Sequence, residues 1–284
     1  MQKPARSSTT QRLPKEVLNP LNAMRKYRLD MPAPSAQLKA FVDHYWMLRW
    51  DRRGKHDYTC EVIPSPYINL TFSQVERGTT SECGAMVTGI TTGKYCYQIS
   101  GAGFIFGVKF LPGAFYSFWP HSLSQLTDKA VPAQSLLSRI DESVQRTILT
   151  MPRVKDQIAC VEELLLGFKP QVHRNTALVN DIIRTVEGQQ RPTVAWVAQR
   201  FAMSERYLQQ VFRDHVGVGL KWIILRVRLQ RATGFVVQRR SPDWADIALQ
   251  LGYSDQSHFT NDFTRVIGMS PGRYLELVHR ADEA

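Results

Sequence analysis

Apolar residues alternate with polar ones over much of the first half of the chain and recur at helical spacing over most of the second, so two architectures are expected in succession. Leu38, Phe41, Val42 and Tyr45 have the spacing of a short helix, after which Trp46, Leu48 and Trp50 alternate with Met47 and Arg49 as a strand would. β-Branched and aromatic runs follow at 60–63, 67–72, 86–90, 95–99 and 104–110, cut by Pro64-Ser65-Pro66, Gly89, Gly93, Gly101 and Gly103. Short strands at this interval predict a small antiparallel sheet or barrel. Helical periodicity takes over at 135–149 and 156–168, and everything beyond Thr176 reads as helix, turn, helix.

Residues 1–34 are polar, basic and interrupted by Pro4, Pro14, Pro20, Pro32 and Pro34, which predicts a flexible basic arm. The expected organisation is α+β in two domains behind that arm: a β-rich domain with C-terminal helices over 35–172 and an all-α domain over 173–284.

Within the all-α part the pattern repeats itself. Val197-Ala198-Gln199-Arg200-Phe201-Ala202-Met203-Ser204 aligns, 50 residues on, with Ile247-Ala248-Leu249-Gln250-Leu251-Gly252-Tyr253-Ser254. Each copy places an apolar residue and a small Ala on one helix, then a turn, then a Ser suited to capping the next helix. The small residue lets two steeply crossing helices approach. Leu208, Val211 and Phe212 are the expected core side of the second helix in the first copy, and Phe259 and Phe263 in the second, whose turn is one residue longer. Gly217 and Gly268 end these helices as left-handed caps, and a long helix over 220–237 joins the copies.

The remaining face of each second helix is polar. The first presents Arg206, Gln209, Gln210 and Arg213; the second presents Gln256, Ser257, Thr260, Asn261 and Arg265. Arg and Gln carry the donor and acceptor arrangements that address guanine and adenine. Residues in the first two turns are placed to reach bases, whereas Arg213 and Arg265, further along, suit phosphates. Lys221, Arg226, Arg228 and Arg231 on the joining helix serve equally as backbone contacts or as a solvated charged face. A lone helical hairpin is a common interaction module; two copies fused through one helix favour duplex DNA. Two alternatives remain at this point: a protein-interaction module of helical hairpins, and a non-specific DNA-associated protein.

Composition adds less. The net charge of +11 suits a polyanion. Yet residues 174–284 carry 15 Lys and Arg against 11 Asp and Glu, leaving most of the excess in the N-terminal half. No apolar run approaches the roughly 20 residues of a membrane span, and the first residues lack the apolar stretch of a secretory signal, so a soluble cytoplasmic protein is expected. Cys60, Cys83, Cys96 and Cys160 form no Cys-x-x-Cys pair, which argues against zinc and against a disulfide framework.

The segment 176–280 resembles the DNA-binding domain of AraC/XylS-type transcription regulators. The match is carried by Asp246-Ile247-Ala248-Leu249-Gln250-Leu251-Gly252-Tyr253-Ser254-Asp255-Gln256-Ser257-His258-Phe259, by Phe263, and by Gly268-Met269-Ser270-Pro271-Gly272-Arg273-Tyr274. The resemblance implies that both recognition helices lie on one face of the duplex. It also implies a transcription activator working with RNA polymerase, and an N-terminal domain that binds a small-molecule effector, forms a homodimer, or both. Asn261 and Gln210 stand where the family often carries a basic residue, and Asp262 sets an acid on the second helix.

The segments 62–72 and 106–115 resemble an uncharacterised β-rich domain found ahead of such DNA-binding domains. His44, His56 and His121 are far apart, so no metal or other cofactor is assigned, and no catalytic constellation marks an enzyme. Gly101-x-Gly103-x-x-x-Gly107 fails dinucleotide spacing and reads as a hairpin turn entering a strand. Trp46, Trp50, Tyr67, Phe72, Tyr95, Tyr97, Phe104, Phe106, Phe110, Phe115 and Trp119 are expected mainly as core; were they to line a pocket, its effector would be apolar or aromatic.

Overall fold

A computed structural model describes residues 17–18, 20–238 and 242–282. In chain order the first part holds α1 (Pro20–Met24), β1 (Arg28–Asp30), β2 (Val42–Asp51), β3 (Tyr58–Val62), β4 (Asn69–Arg77), β5 (Thr80–Thr88), β6 (Tyr95–Ile99), β7 (Ala102–Phe110), β8 (Ala130–Pro132), α2 (Ala133–Leu136), α3 (Glu142–Thr150) and α4 (Val154–Gly167). Six strands form an open sheet in the order β1-β2-β7-β4-β5-β8, every neighbour antiparallel, and β3 pairs with β6 as a separate ribbon. Of the two expected forms, sheet and barrel, the protein adopts the sheet.

That sheet is buried on both faces. Tyr45, Met47, Leu70, Phe72, Phe106 and Val108 belong to a core shared with the helices, whereas Leu48, Trp50, Val75 and Ile105 meet Tyr27, Leu29, Cys60 and Ile99 on the other side. The segment 38–45 misleads for another reason: Leu38, Phe41, Val42 and Tyr45 all enter the same core, two from turns over 36–41 and two from the start of β2. Its apolar spacing suits a helix, but β2 begins at Val42 and hydrogen-bonds to β7 along its length, with a bulge between Val42 and His44. The glycines of the expected hairpin divide their roles. Gly101, at φ 61°, makes the β6–β7 turn, while Gly103 and Gly107 lie inside β7 under the rings of Trp50 and Trp46, where an added Cβ would run into the indoles.

The arm expected over 1–34 is only partly within the described residues, and the described part is not a free arm. α1 and β1 are ordered, with Ala23, Tyr27 and Leu29 buried against the sheet and Leu18 buried against the second part of the molecule; these apolar residues, sparse among prolines and basic residues, suffice to pin the segment. The helix expected over 135–149 is split, because Asp141 caps a new start at α3 by accepting from the Val144 amide.

The second part is all helical: α5 (Arg174–Gly188), α6 (Val194–Arg200), α7 (Glu205–His215), α8 (Leu220–Gln238), α9 (Trp244–Gln250), α10 (Gln256–Ile267) and α11 (Pro271–Asp282). The core does not stop between the parts. Phe110, Phe115, Leu123 and Leu126 share one buried cluster with Val179, Ile183, Leu208, Phe212 and Leu220. No helix among the described residues is long and apolar enough to cross a membrane.

Candidate nucleic-acid interface

Each repeat folds as helix, turn, helix. In the first, Thr193 caps α6 and Ser204 caps α7, its hydroxyl accepting from the Tyr207 amide at 3.2 Å. In the second, Asp243 caps α9, and α10 is capped by Asp255 rather than by the expected Ser254. The extra turn residue displaces the cap by one: the Asp255 carboxylate accepts from the His258 amide at 2.8 Å, while the Ser254 hydroxyl supports it at 2.9 Å. The turns themselves need a left-handed residue at the same place, supplied by Ala202 (φ 51°) in the first copy and by Gly252 (φ 80°) in the second. Gly217 (φ 106°) and Gly268 (φ 81°) close the two units as expected.

Burial sets the outward faces. Leu208, Val211, Phe212 and His215 turn α7 inward, leaving Arg206, Gln210 and Arg213 exposed in a row one helical turn apart. Tyr207, unforeseen in the sequence, is exposed beside Arg206. Gln209 sits at the edge of this row and folds back over Gly219, where a Cβ would lie 2.5 Å from its Oε1. On α10 the buried side is Phe259, Phe263, Val266 and Ile267, so Ser257, Asn261 and Arg265 point most directly outward. Gln256 is exposed at the first turn; Thr260 is half-buried on the flank. His258 and Thr264 are exposed near this outer face, and the phase of the four apolar residues was the signal that would have found them.

Asp262 does not confront the outer face. It lies sideways, 18% exposed, joined to Arg265 at 2.6 Å and 3.9 Å from the His258 imidazole, and so positions the Arg265 guanidinium. Three of the four α8 bases are structural rather than free for backbone contacts. Arg231 donates to the carbonyls of Glu187, Gln189 and Gln190, closing the end of α5. Arg228 donates to Pro192 O and lies over the Tyr253 ring, and Arg226 reaches Pro64 O. Lys221 remains exposed at the start of α8.

Loops of the N-terminal domain meet α7 and α10 near their C-terminal ends. Beside α7, the hydroxyl of Thr127 donates to Gly217 O at 2.5 Å, that of Ser122 donates to Asp214 at 2.8 Å, and Tyr116 packs on the buried His215 ring with centroids 4.1 Å apart, against which His173, the cap of α5, also stacks at 4.7 Å. Beside α10, Lys94 lies where a Cβ on Gly268 would be 2.7 Å from its Cε. The loops carrying these contacts are tied together, since Asp128 accepts from the amide and the hydroxyl of Thr92 at 2.6 and 2.8 Å.

Residues 197–276 match a family described as helix-turn-helix domain, and residues 31–132 match a domain of unknown function (DUF6597). The Msm operon regulatory protein of Streptococcus mutans is 26% identical over 135 residues, which is 46% of this chain and 48% of that protein. The HTH-type transcriptional activator RhaR of Klebsiella pneumoniae is 31% identical over 112 residues, 38% of each chain. Among solved structures, the C-terminal domain of AraT, a response regulator from Geobacillus stearothermophilus, is 22% identical, covering 37% of this chain and 88% of that one with a TM-score of 0.33. The chain spans about half the length, or less, of these curated relatives. The matched helix-turn-helix segment spans α6 to α11, and the matched domain of unknown function spans the six-stranded sheet from β2 onward.

Proposed function

We propose that this protein is a sequence-specific DNA-binding transcription regulator that lays α7 and α10 into neighbouring major-groove segments. The observation that carries this reading is the duplicated helix-turn-helix unit in which both second helices turn capped, exposed polar faces outward while their apolar faces complete the core. In this reading Arg206, Gln210, Gln256, Ser257 and Asn261 address base edges, with Gln209 and Thr260 at their flanks, and Arg213 and Arg265 meet phosphates. Tyr207, His258 and Thr264 join them from the outward faces. The protein acts without catalysis, in the cytoplasm, and its relatives' description as activators favours recruitment of RNA polymerase. The N-terminal domain supplies control through a small-molecule effector, a homodimer, or both.

The test is selection of bound sequences from a random duplex library, with the full-length chain and with an Arg206→Ala/Gln256→Ala variant. The expected result is a motif of two blocks about one helical turn apart, blurred in both blocks in the variant, each mismatch costing about 1 to 3 kcal/mol. Equal binding of all sequences by the wild type, with and without cell extract, would replace this reading with non-specific DNA association.

A further inference from the structure

We infer that Asp214 is a positioning residue through which the N-terminal domain sets the base preference of the first recognition helix. The inference rests on the reading of Gln210 as a base-contacting residue. Asp214 lies on α7 one turn beyond Gln210, and its two carboxylate oxygens face in different directions. Oδ2 accepts from the Gln210 amide nitrogen at 2.7 Å; Oδ1 accepts from the Ser122 hydroxyl at 2.8 Å, across 92 residues of sequence. Ser122 Oγ also lies 2.8 Å from Ser124 Oγ. A serine hydroxyl has one proton, and Ser122 donates its own to the carboxylate. Ser122 therefore accepts from Ser124, and the chain runs in one direction: Ser124 to Ser122 to Asp214, with Gln210 donating from the far side.

A carboxylate accepts only, so it holds the NH2 end of the Gln210 side chain and not the carbonyl end. The choice that a free glutamine leaves open is thereby closed. Gln210 turns out its Oε1 and its second N–H in one fixed order, the pair that a bidentate contact to adenine needs. The hydroxyl end of the relay does not float either. Leu123 and Leu126, which bracket this loop, are buried in the shared core, Thr127 is bonded to Gly217, and Asp128 ties the loop to Thr92. A shift of this loop within the N-terminal domain therefore reaches the amide of Gln210 through two hydrogen bonds. Among the described residues the acid of α10, Asp262, pairs instead with His258 and Arg265 on its own helix.

The experiment compares full-length wild type, Ser122→Ala, Asp214→Ala, Gln210→Ala and Gln210→Ala/Asp214→Ala by quantitative binding to a library varied one base pair at a time. Asp214→Ala is expected to relax preference by about 2- to 12-fold, the freedom regained by one loosened side chain, and only at the base pair that Gln210→Ala relaxes. Ser122→Ala should act at that same base pair, and it serves as the probe if Asp214→Ala does not fold. In the Gln210→Ala background, removing Asp214 should change nothing further there, a result that a merely structural role would not give. A uniform loss at every base pair, or an undiminished effect of Asp214→Ala without Gln210, overturns the relay while leaving the regulator reading intact. If Gln210→Ala leaves every preference unchanged, Gln210 does not read bases and the relay falls with it, whereas Arg206→Ala still tests the wider function.

Discussion

The two helix-turn-helix units share a motif and differ in what completes their cores. Val197, Leu208, Val211 and Phe212 of the first unit lie in the same buried cluster as Phe72, Phe106 and Phe110 of the sheet. Ile247, Ala248, Phe259, Phe263 and Val266 of the second form their own cluster with Leu229 and Ala232 of α8, to which Leu18 and Ile63 are the N-terminal contributors among the described residues. The second helix of the first unit is thus built into the core of the N-terminal domain, whereas that of the second packs mainly with α8 and its own neighbours. The duplication therefore yields one unit whose core is continuous with the N-terminal domain and one whose core is largely its own.

The sharpest way to break this contrast is to empty a matching place in each core. Phe212 and Phe263 are both fully buried, and truncation of either to alanine should cost about 3 to 5 kcal/mol. The difference lies in where the damage spreads. Phe212→Ala should speed amide hydrogen exchange in the sheet as well as in α5 to α7, because the cluster is continuous. Phe263→Ala should speed it mainly in α9 to α11. Equal spread from both variants would mean that the cores are energetically one.

Acid should also separate the units. Burial lowers the pKa of His215 from its ordinary 6.5 to about 4, with His173 stacked against it adding to the depression and Asp214 opposing it. Tyr116 and Asn175 complete its surroundings, the latter hydrogen-bonded at 2.9 Å. The unfolded chain binds this proton more readily than the folded one, so the associated stability is whole above about pH 6.5 and is lost as pH falls towards 4, up to about 3 kcal/mol. Denaturant midpoints measured across that range should fall for the first unit and the sheet, and His215→Asn should flatten the slope. Among the described side chains of the second unit the histidine, His258, is exposed.

How much of this was readable in the sequence depended on whether the determining partner was local. The apolar phase of each recognition helix was visible, and every predicted core residue, Leu208, Val211, Phe212, Phe259 and Phe263, is buried. The same five residues fix which side faces outward, so the polar faces were largely legible too. Arg231 and Arg228 were not: their carbonyl partners lie about 40 residues upstream at the end of α5 and before α6, and no spacing rule reaches them. The strand at 42–51 was half legible, because the bulge between Val42 and His44 breaks the alternation at its start and sets Val42 and Tyr45 on one side at helical spacing. Ser122 and Asp214 carry no mark in the sequence; only the fold brings them together.

Leu18 sharpens the comparison from the other side. It is buried in the second unit's cluster, and its amide donates to Glu61 O. Leu18→Ala should destabilise the second unit by about 2 kcal/mol and leave the first unit's melting unchanged, as followed by exchange in α9 to α11 against α6 and α7. Loss shared evenly by both units would show that the N-terminal segment supports the whole C-terminal domain.

The smallest expected effect comes from the turns, where the repeats solve one backbone problem with different residues. Gly252 holds its left-handed conformation without strain; an added Cβ would find its nearest neighbour 3.7 Å away, so any cost of Gly252→Ala is conformational, about 1 kcal/mol. Ala202 already bears that cost. Ala202→Gly should relieve it, less the extra freedom glycine gains in the unfolded chain, for a net gain of about 0.5 kcal/mol. The two substitutions should therefore shift their units in opposite directions in thermal unfolding. A loss of stability in Ala202→Gly would mean that its methyl makes contacts worth more than the strain it carries.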